Sequence, residues 1–141
     1  MYDILVYSPS MDAHVQHLRE VLLLLRQHQL FVKASKCSFA CDSLEYLGHI
    51  ISVAGVSTDP KKTEAMLNWP LPTTVTKLRG FLGLTGYYMK FVESYGIIAC
   101  PLTNLLKKQG FIWTEAATTA FEGLKQAMAS TPVLQLPDFN K

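Results

Sequence analysis

Between Thr58 and Tyr88 the chain is punctuated so heavily that only short helices can form there. Thr58-Asp59-Pro60 joins a capping side chain to a proline at the first helical position, where a missing N–H leaves no bond unmade. Pro70 and Pro72 end that helix after Trp69, because a proline ring collides with the preceding turn. Thr73 or Thr74 then caps a second helix, with Val75, Leu78, Phe81 and Leu82 as its apolar stripe. Gly80, Gly83 and Gly86 interrupt this helix, each costing up to about 1 kcal/mol relative to alanine. Three such costs within one short helix require something to approach the backbone closely. A second helix packed on the small-residue face meets that requirement, and so does a nucleic-acid backbone.

The flanks carry other periods. Ile4-Leu5-Val6-Tyr7 reads as an apolar strand with Asp3 at its edge, and Ser8-Pro9-Ser10 as a turn. Ser10 caps a helix with Asp12 in its first turn, where a negative charge suits the dipole. Val15, Leu18, Val21, Leu22 and Leu25 recur at helical spacing over about five turns, the stripe of a helix expected to lie on a sheet. His14 and His17 sit at i and i+3, but no third ligand accompanies them, so they read as solvent-facing or capping residues. Short strand-like runs follow at Leu30–Val32, Cys37–Phe39 and Leu44–Ile51, with Ala54-Gly55 as turn chemistry. Gly48 inside the last run reads as a bulge or tight packing point ahead of a ligand contact. Thr114 caps a final helix bearing Ala117, Phe121, Leu124, Ala127 and Met128, before an extended Thr131–Pro137; Trp113, Phe121 and Phe139 are expected core and docking residues. Together these elements predict an α+β fold: short antiparallel strands with one packed helix, a helical middle, and a C-terminal helix plus strand.

The chain of 141 residues suits one compact domain or two small subdomains. Hydrophobic residues make up 49% and charged residues 17%, which excludes a disordered tail and implies apolar surface in need of a partner. No apolar run approaches the roughly 20 residues of a membrane span. Cys37, Cys41 and Cys100 are an odd number without a secretory signal, so they read as free, buried thiols in an intracellular compartment, cytoplasmic or nuclear. Residues 1–58 carry four basic and five acidic side chains, residues 59–110 seven and three, and residues 111–141 two and three. The central block is therefore basic, compatible with a nucleic-acid footprint or with an ordinary solvated face.

Several stretches resemble the reverse transcriptases of gypsy-type LTR retrotransposons. Asp3-Ile4-Leu5-Val6-Tyr7-Ser8 is similar to their catalytic strand, with Asp3 at the second of two adjacent aspartates and Tyr2 where the first belongs. Tyr46-Leu47-Gly48-His49-Ile50-Ile51-Ser52, followed by Gly55-Val56, resembles their primer grip. The thumb resemblance is the most specific: Asp59-Pro60-Lys61-Lys62-Thr63-Glu64-Ala65, Trp69-Pro70, Leu78 through Tyr88, Tyr95-Gly96 and Pro101-Leu102-Thr103. It implies a palm remnant at 1–57 with a primer-grip-like hairpin, a thumb-like subdomain at 58–110, and a connection or start of a ribonuclease H-like segment at 111–141.

The intact family enzyme uses Mg²⁺, held by several carboxylates that clamp the reacting oxygens. Here the resemblance leaves only Asp3 as a remnant metal ligand, so no cofactor and no polymerase activity are expected. Read without the resemblance, Asp3 is a strand-end residue that ligates nothing. The resemblance also implies duplex contacts from Lys77, Arg79, Gly80, Gly83 and Lys90, and from Tyr46, Gly48 and His49 in the hairpin. Met89 stands where the family carries a further basic residue, which weakens that grip. Two expectations follow: a non-catalytic module binding an RNA–DNA hybrid or duplex, or an interaction module that forms a homodimer or meets a host protein through the exposed strand and apolar surface.

Overall fold

The computed structural model describes residues 3–107 and 111–135. The described residues form five α-helices and one sheet: α1 (Met11–Gln27), β1 (Ser43–Tyr46), β2 (His49–Ser52), β3 (Gly55–Thr58), α2 (Pro60–Leu67), α3 (Val75–Tyr87), α4 (Tyr95–Leu105) and α5 (Glu115–Ala129). The fold is α+β, with the strands in the order β1-β2-β3 and both pairings antiparallel.

Four helices begin on the caps that their sequences specify. Ser10 accepts from the Ala13 N–H, Asp59 from Lys61, Thr74 from Lys77 and Thr114 from Ala117. Each bond satisfies one of the orphan donors of a helix N-terminus and contributes on the order of 1 kcal/mol. Helix α4 lacks such a cap. Ser94 precedes it in a left-handed conformation at φ 57°, and Pro101 sits inside it. Its hydrophobic face outweighs these defects, because Ala99, Leu102 and Leu105 are all buried.

Helices α3, α4 and α5 enclose the main core, in which Phe81 meets Phe121 at a centroid distance of 4.6 Å. Trp113 packs on that core from its edge and donates its indole N–H to the Thr118 hydroxyl at 2.8 Å. A second core of Met66, Tyr88, Phe91 and Met128 joins α2, the end of α3 and the end of α5 to Val56 of β3 and to Leu134. Val56 and Leu134 exchange two backbone hydrogen bonds, of 2.7 and 2.8 Å, so the extended C-terminal segment closes over β3 through one bridge. Gly55 beside it has φ 130°, and a side chain there would fall on the Leu134 carbonyl. Phe139 lies outside the described residues.

The first third departs from expectation. Residues 4–7, 30–32 and 37–39 form no ladder among the described residues, although each reads as a strand. Extended backbone becomes a strand only when a neighbour takes its N–H and C=O groups. Helix α1 forms as expected but lies on no sheet: none of its residues is buried, nor is any other residue from 3 to 48. The thiols also differ from expectation, for Cys37 is half-buried while Cys41 and Cys100 are exposed. His14 and His17 both direct Nδ1 to the Ser8 hydroxyl, at 3.2 and 2.7 Å, and so tie the turn to the helix start.

Candidate nucleic-acid interface

Helix α3 buries Leu78, Phe81 and Thr85. At 100° per residue the opposite face carries Thr76, Gly80, Gly83 and Tyr87 in line. Among them Gly83 is open: a Cβ added there meets nothing within 4 Å. At Gly80 a Cβ would stand 3.4 Å from the Trp69 ring edge, an ordinary contact. Among the described residues no other helix packs on this glycine face at Gly83. Lys77 and Arg79 are two residues apart and thus flank the face on opposite sides. Both are exposed, and the Lys77 ammonium donates to the Thr73 hydroxyl at 3.1 Å. Lys90 follows the helix end, exposed, with its ammonium 5.3 Å from the Phe91 ring centroid. Among the described residues, none of these three cations pairs with a carboxylate.

The hairpin residues reach the same face by its far end. Leu44–Ile51 is not one strand with a bulge but a tight hairpin, in which Leu47 at φ 49° and Gly48 at φ 74° form a two-residue turn between Tyr46 and His49. Two successive positive φ values are the signature of the type I′ turn that matches strand twist. Glycine is at ease there; leucine loses about 1–2 kcal/mol. Two tyrosines hold the strained turn down. The Tyr87 hydroxyl donates to the Leu47 carbonyl at 2.6 Å, and the Tyr88 hydroxyl donates to the Gly48 carbonyl. Sequence reasoning left this pair without a role. The available signal was a buried-phase tyrosine beside an exposed one at the end of a helix whose other face is apolar.

His49 lies beneath that clamp and is 8% exposed. Its ring stands 5.2, 5.4 and 5.7 Å from the rings of Tyr87, Tyr88 and Phe91. Nδ1 lies 3.0 Å from the Leu47 carbonyl, so Nδ1 carries the proton of the neutral ring, while the buried Nε2 has no partner among the described residues. Burial pushes the His49 pKa below its usual value; the Leu47 carbonyl opposes this, and nearby Lys90 adds to it. In this conformation His49 braces the turn rather than facing outward. Tyr46 is half-buried and donates to the Asp3 carbonyl at 3.2 Å.

Asp3 itself is exposed. Among the described residues no three His, Cys, Asp or Glu side chains gather where a metal ion could bind. A single exposed carboxylate does not supply the several ligands that the two-ion chemistry of phosphoryl transfer needs. Tyr2, beside it, lies outside the described residues.

Residues 1–51 match the family described as reverse transcriptase (RNA-dependent DNA polymerase). An uncharacterized mitochondrial protein of Arabidopsis thaliana is 54% identical over 126 residues, covering 88% of this chain and 80% of that protein. The retrovirus-related Pol polyprotein from transposon 297 of Drosophila melanogaster is 40% identical over 99% of this chain. A Tf2 transposon polyprotein of Schizosaccharomyces pombe is 37% identical over the full chain. The chain spans 13% and 11% of those two polyproteins. Among solved structures, the foamy viral protease-reverse transcriptase with an RNA/DNA hybrid matches 94% of this chain, which spans 18% of it, at a TM-score of 0.83 and 23% identity. The same viral protein with double-stranded DNA, in the dRH form, gives a TM-score of 0.84 over 94% of this chain and 24% of its own. These likenesses establish a shared fold. Among the described residues no helix is long and apolar enough to cross a membrane.

Proposed function

We propose that the chain is a non-catalytic module that binds an RNA–DNA hybrid or a duplex through the glycine face of α3. The observation that carries this reading is Gly83, whose backbone is bare: among the described residues nothing packs against it. A helix loses stability by keeping glycine at an exposed interior position, and close approach of an outside backbone supplies the reason. The bare face is flanked by unpaired cations, Lys77 and Arg79, with Lys90 beyond its end. Phosphate contacts from such side chains fix register without reading sequence. Gly80 and Gly83 are the approach points, and the clamped turn at Leu47-Gly48 borders the bound strand. The foamy viral relatives of known structure hold duplexes, which supports the same use here.

On this reading residues 1–57 correspond to a palm with a primer-grip-like hairpin, 58–110 to a thumb, and 111–141 to a connection segment. Asp3 stands alone and contributes no catalysis.

Fluorescence anisotropy against RNA–DNA hybrid, duplex DNA and single strands tests the proposal. Neutralising three or four phosphates gives a slope of roughly −3 in log affinity against log salt, and a Lys77→Ala/Arg79→Ala variant should flatten it by about 2. Absence of binding to every duplex at about 50 mM salt would refute the module. Templated nucleotide incorporation in a primer-extension assay with Mg²⁺ would refute its non-catalytic character.

A further inference from the structure

The first third of the chain keeps its apolar side chains in water. An open groove of about 720 Å³ runs between α1, the extended residues 4–6, the loop 30–39 and β1. Leu18, Val21 and Leu25 of α1 face into it. Phe31 is 99% exposed, and Ile4, Leu22, Leu30, Val32 and Phe39 are each close to half exposed.

We propose that this groove is the interface on which a second copy of the chain docks, forming a two-fold dimer. Three features select a copy over a foreign partner. The first is area. A fully exposed phenylalanine alone offers at least roughly 150 Å², and with its half-exposed neighbours the face reaches on the order of 800 Å² per partner, the size of a standard stable interface.

The second is the unpaired edge. Residues 4–7 are extended without a ladder among the described residues, and an antiparallel two-fold pairing gives each copy's edge an identical partner in the required direction. The third is charge. The groove is lined by Asp3 and Glu45 and by Lys33 and Lys36, none of them in an ion pair among the described residues. A lining with equal numbers of both signs favours neither an acidic nor a basic ligand, whereas a copy of itself carries the complement of each.

The interface is separate from α3 and does not depend on nucleic acid. Sedimentation velocity and light scattering of the nucleic-acid-free protein over about 1 to 100 µM test it. A monomer–dimer equilibrium is expected within that range, weakened only modestly by added salt because salt screens the exposed charge pairs and leaves the apolar contact. Phe31 touches almost nothing in its own chain, so Phe31→Ser leaves the circular dichroism spectrum unchanged and raises the dimer dissociation constant at least about tenfold. Leu22→Glu, which places charge in the groove, does the same. A strict monomer throughout that range overturns the proposal. So does a dimer whose dissociation constant neither substitution moves.

Discussion

The strongest test of the glycine face is Gly83→Ala, because stability and binding should move in opposite directions. Gly83 lies inside α3 with no atom within 4 Å of an added Cβ. The helix-propensity gain of alanine over glycine, about 0.8–1 kcal/mol, is therefore unopposed by any clash. For a chain of this size that raises Tm by roughly 3–6 °C, measured by thermal or urea unfolding. A duplex backbone resting on the bare helix meets the new methyl group directly. Crowding of a close-packed contact by one methyl costs about 1–3 kcal/mol, or roughly a fivefold to hundredfold loss of affinity by anisotropy. Gly80→Ala would meet the Trp69 ring edge at 3.4 Å, an ordinary contact, so a stability gain of similar size is expected there. A Gly83→Ala protein that is more stable yet binds duplexes as before would show that nothing approaches this face. One that gains no stability would show that the face is not open.

Three further outcomes are expected. The neutral, buried state of His49, with its pKa lowered chiefly by desolvation, means that the unfolded chain takes up the proton first as pH falls. Stability should hold above about pH 6.5 and decline as pH drops from there towards the folded-state pKa. Urea midpoints that fall as steeply in His49→Gln as in the parent would remove His49 as the cause. Gly55→Ala forces a side chain onto the Leu134 carbonyl at a φ of 130°. Strain and two lost hydrogen bonds should cost about 2–4 kcal/mol and raise amide exchange at Val56 and Leu134; protection equal to the parent's would contradict the bridge. Asp3→Ala should leave duplex affinity within about twofold, since the carboxylate has no phosphate contact on this reading; a tenfold loss by anisotropy would place Asp3 in the interface.

Much of the helical half was legible because its determinants are local. Asp59-Pro60, Thr74 and Thr114 act on N–H groups two or three residues away, so reading the sequence is nearly reading the bond. The apolar stripes at Leu78 and Phe81, and at Phe121, Leu124 and Met128, point to the cores that form. Helix α4 has no such local mark: Gly96 and Pro101 are both unfavourable inside a helix, and burial of Ala99, Leu102 and Leu105 against α3 and α5 overrides them. The strand readings at 4–7, 30–32 and 37–39 went astray for the converse reason. Apolar alternation announces a surface that would suit a sheet, but pairing depends on a neighbour that the segment does not contain.

At the candidate site, the amino-acid sequence by itself determined that three glycines interrupt a capped helix in the basic part of the chain. It left two occupants for that face open. Only the tertiary structure decided that, among the described residues, no helix takes the place at Gly83, and only it joined the turn at Leu47-Gly48 to the helix end through tyrosines 40 residues away. The physical reason is range. Caps, breakers and amphipathic periods act over a few residues, whereas a strained turn is held, and a bare face is left bare, by groups that meet only after the chain has folded.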